Sequence, residues 1–135
     1  MRILAIDPGD RRIGLAVSDE LLITAQGLPT FDRKQREDFF GYVAELIAER
    51  EIGEIVVGDP VHLSGRVGES AEKARRLAAD LQQRFDVEVV LWDERLSSEE
   101  AKRVLRGARA DKGTVDKLAA IIILQSYLDF RGNKR

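Results

Sequence analysis

The apolar positions of this chain fall into two periods that alternate along its length. Short apolar runs stand at 3–6 (ILAI) and 13–17 (IGLAV), the first stopped by Asp7-Pro8-Gly9. An apolar run ended by turn chemistry reads as a buried strand, and two strands joined so closely pair antiparallel as a hairpin. Residues 21–30 read as a third strand, closed by Leu28-Pro29. From 34 to 50 the period lengthens to that of a helix, with Phe39, Val43, Leu46 and Ile47 on one face and Gly53 placed to end it in left-handed backbone. EIVVG at 54–58 is a fourth strand running into Asp59-Pro60, and 61–68 is a Gly-containing loop. A second helix over 69–85 turns Ala74, Leu77, Ala78, Leu81 and Phe85 inward; a fifth strand over 88–92 runs into Asp93-Glu94-Arg95. Ser97 and Glu100 have the spacing of a capping box, opening a third helix with Ala101, Val104, Leu105 and Ala108 inward. After a loop at 107–113, Thr114 caps a last helix over 115–130, apolar on most sides and so expected to be buried.

The order β-β-β-α-β-α-β-α-α demands an α/β fold with a mixed five-stranded sheet: three antiparallel strands, then right-handed crossovers, with helices on both faces. Ligands of such sheets collect outside the carboxyl ends of the parallel strands. Three strands that this order makes parallel all end in acid: Asp7, Asp59, and Asp93-Glu94.

Composition narrows the picture without adding a motif. At 135 residues the chain is expected to be one domain, 1–135. Its longest apolar stretch, 118–124, is far short of the roughly 18 residues that span a bilayer. The N-terminus runs straight into strand pattern, so the cytoplasm is the expected compartment and no membrane partner is expected. Without cysteine there is neither a disulfide framework nor a thiolate metal site. The net charge of −2 does not announce a nucleic-acid binder, but its distribution is uneven. Residues 21–60 hold four basic and eight acidic side chains. Residues 95–117 hold seven basic ones (Arg95, Lys102, Arg103, Arg106, Arg109, Lys112 and Lys117) against four acidic. That segment reads either as a solvated helix face or as a phosphate-facing edge, with Arg109 and Lys112 on a loop.

The acids carry the chemistry. A carboxylate at the end of a central strand is costly unless paired, hydrogen-bonded or bound to a cation. Strand alternation lets only one of Asp93 and Glu94 point with Asp7, and Glu94, just beyond the apolar run, is the better placed. Asp116 stands in the first turn of the last helix, where the helix dipole favours an acid. In so apolar a helix it is also the acid best placed to be held against the sheet. Carboxylates gathered without His or Cys suit Mg²⁺ or Mn²⁺, and two such ions can activate water and stabilise the leaving oxygen in phosphodiester cleavage.

The segments IDPGDRRIGLAVSD (6–19), VVGDPVHLSGRVGESA (56–71), DERLSSEEA (93–101) and VDKLAAIIILQSYLD (115–129) together resemble the YqgF, or RuvX-type, family of Holliday junction resolvases, described also as pre-16S ribosomal RNA nucleases. The resemblance threads nearly the whole chain. It implies a ribonuclease H-like fold with Asp7, Glu94 and Asp116 as a catalytic, metal-binding acidic site. Asp7, Gly9, Arg12 and Gly14 stand in place for the family motif D-x-G-x-x-R-I-G. Asp59 departs from the family's apolar residue and reads either as a turn residue before Pro60 or as an added metal ligand.

The implied partner is structured RNA or branched DNA, with monomer and homodimer both open. Aromatics are too sparse for a stacking platform, so backbone charge and shape are the expected means of recognition. Arg11, Arg12 and Arg95 flank the acids as phosphate contacts or counter-ions. His62 reads as a surface loop residue or as a group near the scissile phosphate. Two rivals remain at this stage: an actin-like ATPase, for which the chain lacks a second closing domain, and a non-catalytic ribosome-assembly module.

Overall fold

A computed structural model of the chain describes residues 1–9, 11–35, 37–60, 68–93 and 112–133. The strands are β1 (Arg2–Asp7), β2 (Arg12–Ser18), β3 (Ala25–Gly27), β4 (Phe31–Asp32), β5 (Ile52–Asp59) and β6 (Glu88–Asp93); the helices are α1 (Phe39–Arg50), α2 (Glu69–Arg84) and α3 (Lys112–Asn133). The sheet runs β3-β2-β1-β5-β6, and β4 adds a two-residue pairing on β2. β1 pairs antiparallel with β2 and parallel with β5, which pairs parallel with β6. The mixed sheet with β1 at its centre is therefore the one the strand order demands. The helix expected after Ser97 lies outside the described residues.

Side-chain parity divides the core. Leu4, Ile6, Ile55, Val57 and Val89 face α1 and α2, with Val43, Leu46, Ala74 and Leu81 against them. Ile3, Ala5, Ala16, Val56 and Trp92 face α3, packed on Ala120, Ile123, Leu124 and Tyr127. Each large aliphatic residue buried here contributes about 1.5–3 kcal/mol by leaving water. Every residue of β1 from Ile3 to Ile6 is fully buried, which is why its apolar run is continuous rather than alternating.

The structure differs from the sequence reading at the ends of elements. The 21–30 segment is not one strand. The Asp19 carboxylate accepts from the backbone N–H groups of Ile23 (2.8 Å) and Thr24 (2.9 Å), so those groups close a turn instead of joining a ladder. Leu22 sits there at φ 60°, and Leu21 and Ile23 stand out in solvent. α1 begins at Phe39, not at 34, because Asp38 caps it by accepting from Gly41 N–H and Asp32 ties Lys34 N–H into a preceding turn. Glu51, at φ 53° and ψ 50°, is the left-handed residue after α1, whereas Gly53 lies within β5 beneath the Met1 side chain. α3 begins at Lys112, so Lys112 is helical and not part of a loop.

Candidate active site at the carboxyl end of the sheet

Asp7 ends β1, partly buried, on the same face as Ile3 and Ala5 and so on the α3 side. Its cross-strand partner on β2 is Gly14. On the other flank the β1–β5 register ends with Ile6 beside Val57, and one further step brings Gly58 beside Asp7. Two residues without side chains thus flank Asp7 in the sheet. Gly14 belongs to the family motif; Gly58 escaped the sequence reading, although a glycine closing an apolar strand beside an acid signals close approach of another group.

α3 comes to the same place. Lys117 lies over Gly27, whose ladder leads through Ala16 to Ala5 near the carboxyl end of β1. About three and four turns later, Tyr127 and Arg131 reach Glu54, beside Ile3 at the amino end. The helix therefore runs from the carboxyl end toward the amino end. Its first turns, including position 116, stand at the Asp7 end and on the Asp7 face. The Asp116 side chain and the whole of Glu94 lie outside the described residues. Trp92 is buried on the α3 face, with its indole N–H donating to Ser126 Oγ (3.2 Å).

Asp59 does not join Asp7. It shares the opposite face with Ile55 and Val57, lies beside Asp93 in the ladder, and accepts from Arg75 of α2 at 3.3 Å. Its Oδ1 is buried without a hydrogen-bond partner among the described residues. The strand of Asp59 lies next to that of Asp7, as expected, with Asp59 on the other face, because successive residues along a strand point to opposite sides. Among the described residues no three metal-ligating side chains converge. What the structure offers a hard cation is a carboxylate oxygen donor on a glycine-flanked strand end, with no His or Cys near it among the described residues, and this fits Mg²⁺ or Mn²⁺.

The basic residues divide in the same way. Arg11 pairs with Asp32 (3.6 Å) while keeping about half its surface exposed. Asp32 is held below the usual carboxylate range by Lys34 N–H first, against a smaller effect of burial, and then by the charges of Arg11 and Arg12. Arg12 opens β2, paired with Asp32 across the ladder. Arg95, Lys102, Arg103, Arg106, Arg109 and His62 lie outside the described residues, and of Lys112 only the helical backbone is described.

A central strand ending in an acid, an antiparallel hairpin partner after it, then parallel crossovers and a helix delivered to the acidic end define a ribonuclease H-like fold. Solved structures agree on that fold: Thermus thermophilus RuvC superimposes with a TM-score of 0.56 at 18% identity, covering 98% of this chain and 97% of that one. Fowlpox virus resolvase, solved with Holliday junction DNA, gives 0.61 at 10% identity over 97% and 99%. The chain belongs to the RuvX family, described as Holliday junction resolvase, which matches residues 1–130. It is 51% identical over 138 residues to a protein of Koribacter versatilis named "Putative pre-16S rRNA nuclease", covering 99% of this chain and 90% of the relative. A protein of the same name from Thermoanaerobacter pseudethanolicus is 42% identical over 140 residues, covering 99% and 100%. The chain is thus a member of a family of nucleic-acid-cleaving hydrolases.

Proposed function

We propose that this chain is a divalent-metal-dependent phosphodiesterase that processes the 5′ end of pre-16S ribosomal RNA, resolves four-way DNA junctions, or does both, and that it acts in the cytoplasm as one domain. The observation that carries the reading is Asp7, at the end of a central strand buried from Ile3 to Ile6 and flanked in the sheet by Gly14 and Gly58, at the end to which the first turns of α3 are brought. Asp7, Glu94 and Asp116 would hold Mg²⁺ or Mn²⁺. When bound, a pair of such ions lowers the pKa of a water nucleophile and offsets charge on the phosphate.

The chain's own residues do the rest. Asp7 fixes one carboxylate against a rigid sheet, so its position varies little as substrate arrives. Gly14 and Gly58 place no side chain beside it in the sheet. Arg11 and Arg12, at the start of β2, offer guanidinium groups to neighbouring phosphates. No described Ser, His or Cys stands as a nucleophile beside Asp7, and the mechanism needs none, because water attacks the phosphorus.

The family name and the relatives' names point to different nucleic acids, so the test uses both. Purified protein is incubated with a four-way DNA junction and with an RNA carrying the 5′ leader of 16S, each with Mg²⁺, Mn²⁺ or EDTA. Cleavage of either substrate in metal, absent in EDTA and absent in a Glu94→Gln variant, supports the reading. Binding of nucleic acid without cleavage under every condition would make the chain a binding module.

A further inference from the structure

A cleft of about 370 Å³ opens at the same end of the sheet, lined by Pro8, Gly9, Arg33, Ser70 and Lys73. Its walls come from three places: the β1–β2 turn, the turn after β4, and the first turns of α2. Two cations from different elements meet there, with a Ser hydroxyl between positions of the same helix turn. α2 packs on the face opposite α3, so the cleft lies across the sheet's rim from Asp7. The rim itself is Gly9. It has no side chain, and a Cβ there would collide with the carbonyl oxygen of Arg12. Gly9 lies two positions after Asp7, so their Cα atoms are at most roughly 7 Å apart.

From this placement we propose that the cleft is a phosphate subsite, in which Arg33 and Lys73 hold the backbone of the nucleic-acid strand one or two linkages from the bond being cut. The inference rests on the nuclease reading and adds the path of the strand. With its reacting phosphodiester at Asp7, the strand passes Gly9 on the cleft wall and delivers its next phosphate to the two cations. Lys73 also meets Glu69 at 3.6 Å, an i,i+4 pair with an exposed carboxylate. Arg33 donates its backbone N–H to Arg11 O, which ties the cleft wall to the hairpin carrying Asp7. The sequence reading sought the phosphate-facing edge among residues 95–117 and passed over these two, because they lie 40 positions apart and belong to no charge run.

The test is a binding experiment, in Ca²⁺ without turnover, with the four-way DNA junction and the leader RNA as probes. Single methylphosphonate linkages are placed in turn on either side of the bond that wild-type protein cuts. A neutral linkage within two positions of that bond should weaken wild-type binding several-fold. In the Arg33→Ala/Lys73→Ala double variant the same linkage should have no effect. The salt slope of that variant should fall by about 0.7 on single-stranded probe or about 0.9 on duplex, as for one lost phosphate contact. Arg50→Ala, at the opposite end of the sheet, controls for loss of general charge and should leave the linkage profile unchanged. All these side chains are solvent-accessible, and thermal unfolding checks that each variant folds. If the double variant binds with the wild-type slope and linkage profile, the cleft is not a phosphate subsite, while the nuclease reading stands. If wild-type protein binds neither probe, both fall together.

Discussion

Glu54 is the buried acid that the active-site reading does not use. It accepts from the Tyr127 hydroxyl and from Arg131 Nη1 (2.6 Å), and its side chain is only 5% exposed. Both partners stand on α3, so the network fastens the helix at the amino end of β5 and leaves its first turns to face the acidic end. Burial, and then the hydrogen bond and charge of Glu54, push the Tyr127 hydroxyl up to about 12 from its ordinary 10.0. A folded-state pKa raised above the unfolded value contributes stability that is complete below the unfolded pKa and lost as pH rises through the folded one. Stability should therefore fall between pH 10 and about 12, when a phenolate would stand beside the carboxylate. Tyr127→Phe removes the donor: chemical denaturation at pH 7 should show a loss of roughly 1–3 kcal/mol, and the alkaline decline should flatten. Asp59 yields a contrasting prediction. Asp59→Asn weakens the contact with Arg75 on the α2 face, so unfolding free energy should drop. The Mn²⁺ concentration for half-maximal cleavage should not move; a shift would put Asp59 among the ligands after all.

At the scale of elements, β1, β2, β5, β6 and α2 were legible to within a residue or two. Each has a continuous apolar run or a helical stripe facing one layer of core. Where the reading slipped, a local polar group had taken the backbone. Asp19, Asp32 and Asp38 each bind N–H groups that the hydrophobic pattern assigns to a strand or a helix. The end of α1 shows the opposite case, a strained residue where a glycine was expected. Glu51 takes left-handed backbone one residue before β5 begins, leaving no room to delay the turn until Gly53. Glu51→Gly should accordingly stabilise the protein by roughly 0.5–1 kcal/mol, measured by denaturant unfolding. Gly53→Ala meets only the Met1 side chain and should cost less than about 0.5 kcal/mol, since that flexible tip can swing away. Equal and large losses from both would contradict this assignment of the helix end.

Across the whole molecule, topology does what no single motif can. The strand order alone put Asp7 at the carboxyl end of the central strand, and the ladders show β1 between β2 and β5. Parity then decided what spacing could not: Asp7 faces α3 and Asp59 faces α2. The glycine pair beside Asp7 and the Arg33–Lys73 cleft were not legible, because their members come from separate elements and meet only once the sheet is assembled. The central claim is that Asp7 serves chemistry and not folding, and one comparison tests it most directly. Wild-type protein and Asp7→Asn are assayed side by side for thermal unfolding in EDTA and for cleavage of junction DNA and leader RNA in Mn²⁺. Removing one of several clustered carboxylate charges relieves their mutual repulsion when no metal is bound, so the variant should unfold at the wild-type temperature or above it. Its cleavage should collapse on every substrate that wild type cuts. A variant that unfolds in EDTA, or cuts as fast as wild type in Mn²⁺, would make Asp7 a turn residue and contradict the account.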